Sequence, residues 1–164
     1  MRVWLRKVRC REQNGSENLA SIGDRADMPG VTNSVIVADS DEEVRKRLFV
    51  RLSTKGYEVK TTDSASGLIR EVERTTGILV LDVELSGMKA YEMIPLVKEI
   101  NPRVPIIVMS ADSSVELAQR IRHEGVFFYA MKPLDGDEIE SAVESAFKKL
   151  THETQSWGTN GNGQ

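Results

Sequence analysis

The sequence is poor in the features that would assign it to several large protein classes. It holds one cysteine, Cys10, in 164 residues. An internal disulfide is therefore excluded, and a reducing compartment fits. No apolar run approaches the ~20 residues that a membrane-spanning helix needs. The basic start is not followed by a continuous apolar segment, which argues against a secretory signal. There is no excess of positive charge, since the formal net charge is −3. Nothing global therefore points to nucleic acid or to an anionic membrane surface. The two histidines, His123 and His152, stand far apart in sequence. Neither suggests a metal cluster or a phosphohistidine. No glycine-rich phosphate loop of the G-x-G-x-x-G kind is present. The expectation is a cytoplasmic protein without a nucleic-acid or membrane partner.

What is present is a composition with 40% hydrophobic and 29% charged residues, ordinary for a globular domain. It also has four short apolar runs, each closed by a reactive group. Gly77-Ile-Leu-Val-Leu ends in Asp82, and Val35-Ile-Val-Ala ends in Asp39. Val104-Pro-Ile-Ile-Val-Met ends in Ser110, and Val126-Phe-Phe-Tyr-Ala-Met ends in Lys132 followed by Pro133. In an open parallel sheet, ligands bind at the C-terminal edge of the strands. Two carboxylates, a hydroxyl and an ammonium gathered there suit a phosphoryl group and a divalent cation.

Between the runs lie helical periods. Val44, Leu48 and Leu52 share one face of a helix over residues 41–55, which Gly56 ends. A short, polar strand over residues 57–61 suits a sheet edge. Asp63 or Ser64 caps a second helix carrying Leu68, Ile69 and Val72. A third helix spans residues 90–100, with Pro95 expected to weaken or bend its first turns. Asp112 or Ser113 caps a fourth. The fifth is the most regular, running from Ile139 through Ala142, Val143, Ala146 and Phe147 to Leu150. Five repeats of strand and helix predict an α/β fold, a doubly wound, five-stranded parallel sheet covered on both faces. The order 2-1-3-4-5 sets Asp39 beside Asp82 at the switch point. Residues 1–33 read as a disordered extension with a basic, partly apolar start, residues 34–150 as the domain, and residues 151–164 as a flexible polar tail.

The four strand ends and their spacing resemble the receiver domain of bacterial response regulators, the CheY-like family, here expected to stand alone. The resemblance rests on Val35-Ile-Val-Ala-Asp39-Ser40-Asp41, Leu79-Val-Leu-Asp82-Val-Glu-Leu-Ser-Gly-Met88, Ile107-Val-Met-Ser110-Ala111 and Tyr129-Ala-Met-Lys132-Pro133. It implies that Asp82 is the phosphoacceptor, attacking a phosphohistidine on a sensor kinase or phosphotransfer protein. It implies a Mg²⁺ site formed by Asp39, Asp82 and the backbone carbonyl of Glu84. Ser110 would contact the phosphoryl oxygen, Lys132 would pair with the phosphorylated carboxylate, and Tyr129 would change rotamer with Ser110 as the switch. The Lys132–Pro133 bond would be cis. Output would pass to another protein through the face of helix four, strand five and helix five.

Two departures from the family pattern stand out. The position after Asp39 is usually a second acid and is Ser40 here, which predicts weaker Mg²⁺ binding unless Glu84 or Asp41 restores the charge. The usual Pro-Gly-Met-Asp-Gly loop reads Ser86-Gly87-Met88-Lys89-Ala90. A phosphate-independent interaction module is the alternative function. A flavodoxin-like cofactor binder fits the fold but lacks the glycine-rich loop. Each residue also has a plainer role to exclude: Asp39 as a helix cap, Ser110 as a turn residue, Lys132 as a surface lysine, Tyr129 as a half-buried aromatic.

Overall fold

The computed structural model describes residues 33–74 and 77–158. The N-terminal extension with its basic stretch and Cys10 lies outside them. Twelve elements follow in order: β1 (Ser34–Ala38), α1 (Glu42–Thr54), β2 (Glu58–Thr62), α2 (Ala65–Arg74), β3 (Ile78–Asp82), β4 (Glu84–Leu85), β5 (Met88–Lys89), α3 (Ala90–Ile100), β6 (Ile106–Ser110), α4 (Val115–His123), β7 (Phe128–Met131) and α5 (Gly136–Gly158). Five strands form one sheet in the order β2-β1-β3-β6-β7, all pairs parallel. Numbered within the sheet this is the expected 2-1-3-4-5. The small antiparallel hairpin β4–β5 was not foreseen.

The apolar runs are strands because the sheet is covered on both sides, so alternate residues serve two separate cores. Val35, Val37, Ile78, Val80, Ile107 and Met109 pack with Leu48 and Leu52 of α1 and with Ile139 and Val143 of α5. Their neighbours Ile36, Ala38, Leu79, Leu81, Ile106 and Val108 pack with Leu68, Met93, Ile94 and Ile121 of α2, α3 and α4. β2 is the polar edge, as expected.

Several boundaries differ from the sequence reading. β2 starts at Glu58 because Tyr57 turns into the α1–α5 core, where its ring stacks on Phe147 at 5.1 Å. Of the two expected α2 caps it is Ser64 that serves, its Oγ accepting from the Gly67 N–H at 3.2 Å. Ser114 caps α4, accepting from the Leu117 N–H at 3.2 Å. Asp112 sits one step back and accepts from the Ser114 N–H at 2.8 Å. α3 runs unbroken through Pro95, which deletes one backbone donor without ending the helix. α5 continues to Gly158, so residues 151–158 are helical where a flexible tail was expected. The Lys149–Glu153 ion pair reaches into the extension, and neither Gly nor Pro interrupts it before Gly158.

Polar contacts fasten α1 to α5 and α4 to α3. Arg51 pairs with Asp137 and Glu140, and Lys55 reaches Glu140 at 3.0 Å. The Arg120 guanidinium lies 3.6 Å above the Tyr91 ring. Lys98 donates to the carbonyls of Glu124 and Gly125 at the end of α4. Ile121 is the single buried side chain of α4.

Candidate functional site

Strand register builds the site. β1 and β3 are neighbours, with Ala38 opposite Leu81, so Asp39 and Asp82 leave the sheet side by side. β7 lies beyond β6, with Ser110 opposite Met131, and the next residue is Lys132. The Lys132–Pro133 peptide is cis. The Lys132 side chain crosses back over β6 to the two acids. Its Nζ lies 2.8 Å from Asp39 Oδ2 and 2.9 Å from Asp82 Oδ1.

The three groups differ in exposure. The Asp39 side chain is 1% exposed, Asp82 15% and Lys132 18%. Asp39 is therefore the fixed base of the cluster and Asp82 its open edge. Asp39 is held twice, since its Oδ1 accepts from the Asp41 N–H at 2.8 Å. It does not cap α1. That role falls to Asp41, whose Oδ1 accepts from the Glu43 N–H at 2.9 Å. Burial pushes the Asp82 carboxyl up from its ordinary value, the Lys132 hydrogen bond opposes this, and the Asp39 charge adds to it. Burial alone would lower the Lys132 ammonium, but the hydrogen bonds to Asp39 and Asp82 outweigh it and hold the group above its ordinary value. Two carboxylates against one ammonium leave an uncompensated negative charge, and a cation or an electron-poor phosphorus answers it.

Ser110 is fully buried at the end of β6, but its hydroxyl is turned into its own loop. Oγ accepts from the Asp112 N–H at 3.0 Å and donates to the Asp112 carbonyl at 3.2 Å. It is thus near the site and, among the described contacts, bonded to neither Asp82 nor Lys132. The Tyr129 ring packs on the α2–α4 side of the sheet, and its hydroxyl is buried without a hydrogen-bond partner among the described residues.

Glu84 and Asp41 do not replace the acid missing at position 40. The Glu84 side chain pairs with Lys89 across the β4–β5 hairpin, and Asp41 is committed to its cap. Among the described residues no group of three or more metal-ligating His, Cys, Asp or Glu side chains gathers. The donors that remain are the carboxylates of Asp39 and Asp82 and backbone carbonyls of the β3–β4 segment. Mg²⁺ is bound through one or two carboxylates together with water and phosphate oxygens, and this donor set fits it.

Residues 35–144 match the response regulator receiver domain family. The chain belongs to that family. The receiver domain is 38% identical over 114 residues to the DNA-binding transcriptional regulator NtrC of Bradyrhizobium sp., covering 69% of this chain and 24% of that protein. It is 38% identical over 119 residues to the regulator of the same name from Azospirillum brasilense, covering 72% and 25%. The chain thus spans about a quarter of the length of these relatives. Among solved structures it is similar to a beryllofluoride-activated NtrC4 receiver domain dimer, with TM-score 0.68, 23% identity, and 72% and 98% of the two chains covered. A response regulator from Burkholderia pseudomallei with a phosphorylated aspartic acid and a calcium ion gives TM-score 0.63 at 19% identity, covering 75% and 74%. Both structural likenesses speak for the fold alone. No helix among the described residues is long and apolar enough to cross a membrane.

Residues that the sequence reading missed surround the site. Arg45 Nη1 donates to the carbonyls of Asp39, at 2.7 Å, and Ser40, at 3.0 Å, pinning the β1–α1 loop. Ser86 bridges two other loops. The helical spacing of Arg45 after Asp41 was visible, but its carbonyl partners follow from loop shape.

Proposed function

We propose that the domain takes a phosphoryl group from a phosphohistidine onto Asp82 and signals by a phosphorylation-dependent change of its partner-binding face. The single observation that supports this best is the Lys132 ammonium bridging a buried and an open carboxylate at the C-terminal edge of the sheet. Asp82 is the open one and presents an oxygen to solvent. That oxygen attacks phosphorus, the P–N bond to the imidazole breaks, and the histidine leaves carrying the N–P bonding pair. Such transfers are governed by positioning and charge neutralisation. Lys132 holds Asp82 in place and neutralises charge on the transferred group. Asp39, Asp82 and the Glu84 carbonyl would hold Mg²⁺, which supplies further neutralisation of the phosphoryl oxygens.

The switch follows from two hydroxyls, one bonded within its own turn and one without a partner among the described residues. Ser110 exchanges its turn partner Asp112 for a phosphoryl oxygen, and Tyr129 repositions a hydroxyl that has no partner now. Both changes bear on the α4–β7–α5 face, where an output partner docks. The donor is a histidine sensor kinase or a phosphotransfer protein. The second reading, a phosphate-independent interaction module, is favoured by Ser40 and by the inward turn of Ser110.

Incubation with a small phosphodonor and Mg²⁺ tests the proposal by intact mass. The wild type gains one phosphoryl group and Asp82→Asn gains none. Equal labelling of both proteins refutes Asp82 as acceptor. Beryllofluoride then separates the two readings. A switch shifts backbone amide signals at Ser110, Tyr129 and α4, whereas a constitutive module shows shifts only around Asp82.

A further inference from the structure

Ser86 occupies the turn of the β4–β5 hairpin and is the one non-glycine residue with positive φ among the described residues, at 50°. Gly87 follows at 82°. Left-handed backbone is unfavourable for a residue with a Cβ, so serine at this position calls for compensating contacts. It has two. Its N–H donates to Ser40 Oγ at 3.3 Å, and its Oγ donates to the Asp63 carbonyl at 2.6 Å. One residue thus joins the β1–α1, β2–α2 and β4–β5 loops, all at the strand edge that carries Asp39 and Asp82. The hairpin strand β4 begins two residues after Asp82, at Glu84, so the far end of that strand is where Ser86 is anchored. Arg45 fixes the other side of the Ser40 peptide through the Asp39 and Ser40 carbonyls.

We infer that Ser86 is a positioning residue for the metal side of the site and that Ser40 is its anchor. Ser40 stands where an acid would supply a metal-directed carboxylate, and its hydroxyl is spent instead as an acceptor that holds the neighbouring loop. The tether fixes the hairpin segment that carries the Glu84 carbonyl, two residues after Asp82, in the absence of any ion. This inference rests on the proposed Mg²⁺-dependent phosphoacceptor site and assigns the residues that preorganise it.

The experiment measures two quantities by backbone amide NMR on the whole chain: hydrogen exchange of the Ser86 N–H without metal, and amide shifts on titration with MgCl₂. In Ser40→Ala the Ser86 N–H loses its acceptor and its exchange accelerates. Mg²⁺ affinity falls about tenfold, the lower end of the effect of removing a group that orients a metal ligand. Ser40→Thr keeps a hydroxyl and restores both quantities. Ser86→Gly relieves the positive φ but loses the Asp63 bond, and it also weakens Mg²⁺ binding. Wild-type Mg²⁺ affinity in Ser40→Ala overturns the inference. Weakened affinity with unchanged Ser86 exchange overturns it as well, because Ser40 then acts on the ion directly. A wild type that gives no Mg²⁺-dependent shifts, with Ser86 still protected, refutes the metal site itself and the positioning role with it.

Discussion

Replacing Lys132 with methionine should cost the metal-free protein about 3 kcal/mol of folding stability, while replacing Asp82 with asparagine should cost nothing. The reasoning starts from Asp39, whose side chain is 1% exposed and has two described partners, the Asp41 N–H and Lys132 Nζ. Removing one partner of a buried ion pair leaves an uncompensated charge and typically costs ~3–5 kcal/mol. Water reaches Lys132 and Asp82, whose side chains are 18% and 15% exposed, which places the cost at the lower end. A loss of about 3 kcal/mol is more than a hundredfold in the folding constant, since ~1.4 kcal/mol is tenfold. Asp82 behaves in the opposite sense. Its carboxyl is held above the ordinary value, by burial first and by the Asp39 charge as well, against the Lys132 hydrogen bond. The folded state therefore holds its proton to higher pH than the unfolded chain does. As pH rises from the unfolded value toward the raised one, stability falls, and the deficit persists at neutral pH. Asparagine removes that deficit and leaves Lys132 paired with Asp39. Urea titrations followed by far-UV circular dichroism, in EDTA at neutral pH, should show the Lys132→Met midpoint well below wild type at unchanged slope, and the Asp82→Asn midpoint at or above it. A Lys132→Met midpoint equivalent to less than about 0.5 kcal/mol of loss would place it with ordinary surface substitutions and refute the argument. So would an Asp82→Asn loss as large as that of Lys132→Met.

Three further predictions concern separate parts of the molecule. Ser40→Asp keeps an acceptor for the Ser86 N–H and adds a carboxylate, so calorimetric titration should show tighter Mg²⁺ binding, while crowding of Asp39 and Asp82 lowers the melting temperature of the apo protein. Tyr129→Phe deletes a buried hydroxyl without a partner and should raise stability by about 1 kcal/mol, read as a higher urea midpoint; a lower midpoint would mean that the hydroxyl is bonded in solution. Glu140 is held below its ordinary value by its hydrogen bond to Lys55 first, and by Arg51, against burial. Its contribution is present at neutral pH and is lost as pH falls below 4.5 through the lowered value, so Glu140→Gln should flatten the acid limb of the stability curve and cost about 0.5–1 kcal/mol at neutral pH.

The fold was legible because each buried strand is a short apolar run between turn signals, and because a parallel sheet needs both faces apolar. The order of strands followed from the β-α alternation, and that order set Asp39 beside Asp82. Their meeting with Lys132 was legible for the same reason, since all three close apolar runs. What escaped the sequence depends on contacts between loops. Tyr57 leaves β2 because a stacking partner, Phe147, waits 90 residues away in the chain. Ser114 takes the cap expected of Asp112 or Ser113 because Ser110 and Asp112 first close a turn of their own. The Glu84 carboxylate turns from the site because Lys89 faces it across a two-residue hairpin strand, an element too short to carry a periodic signal. Ser86 shows the general difficulty: its role depends on a positive φ and two neighbouring loops, and neither is written in its own residue type.

The way α4 is attached has a consequence for motion. A helix anchored by a broad apolar stripe moves only by tearing packed surface out of a core. Helix α4 fully buries Ile121 alone, with Leu117 half-buried against the same core, and leans otherwise on a stacked guanidinium and on a lysine reaching the carbonyls just past its end. Polar contacts of this sort each contribute on the order of 1 kcal/mol and can be exchanged for water at nearly equal enthalpy. The helix therefore belongs to the low-stability end of the molecule, opening locally at a free energy well below that of global unfolding. Its amides should be among the first helical amides to exchange with solvent, ahead of those of α1 and α5, which share a core and an ion-pair network.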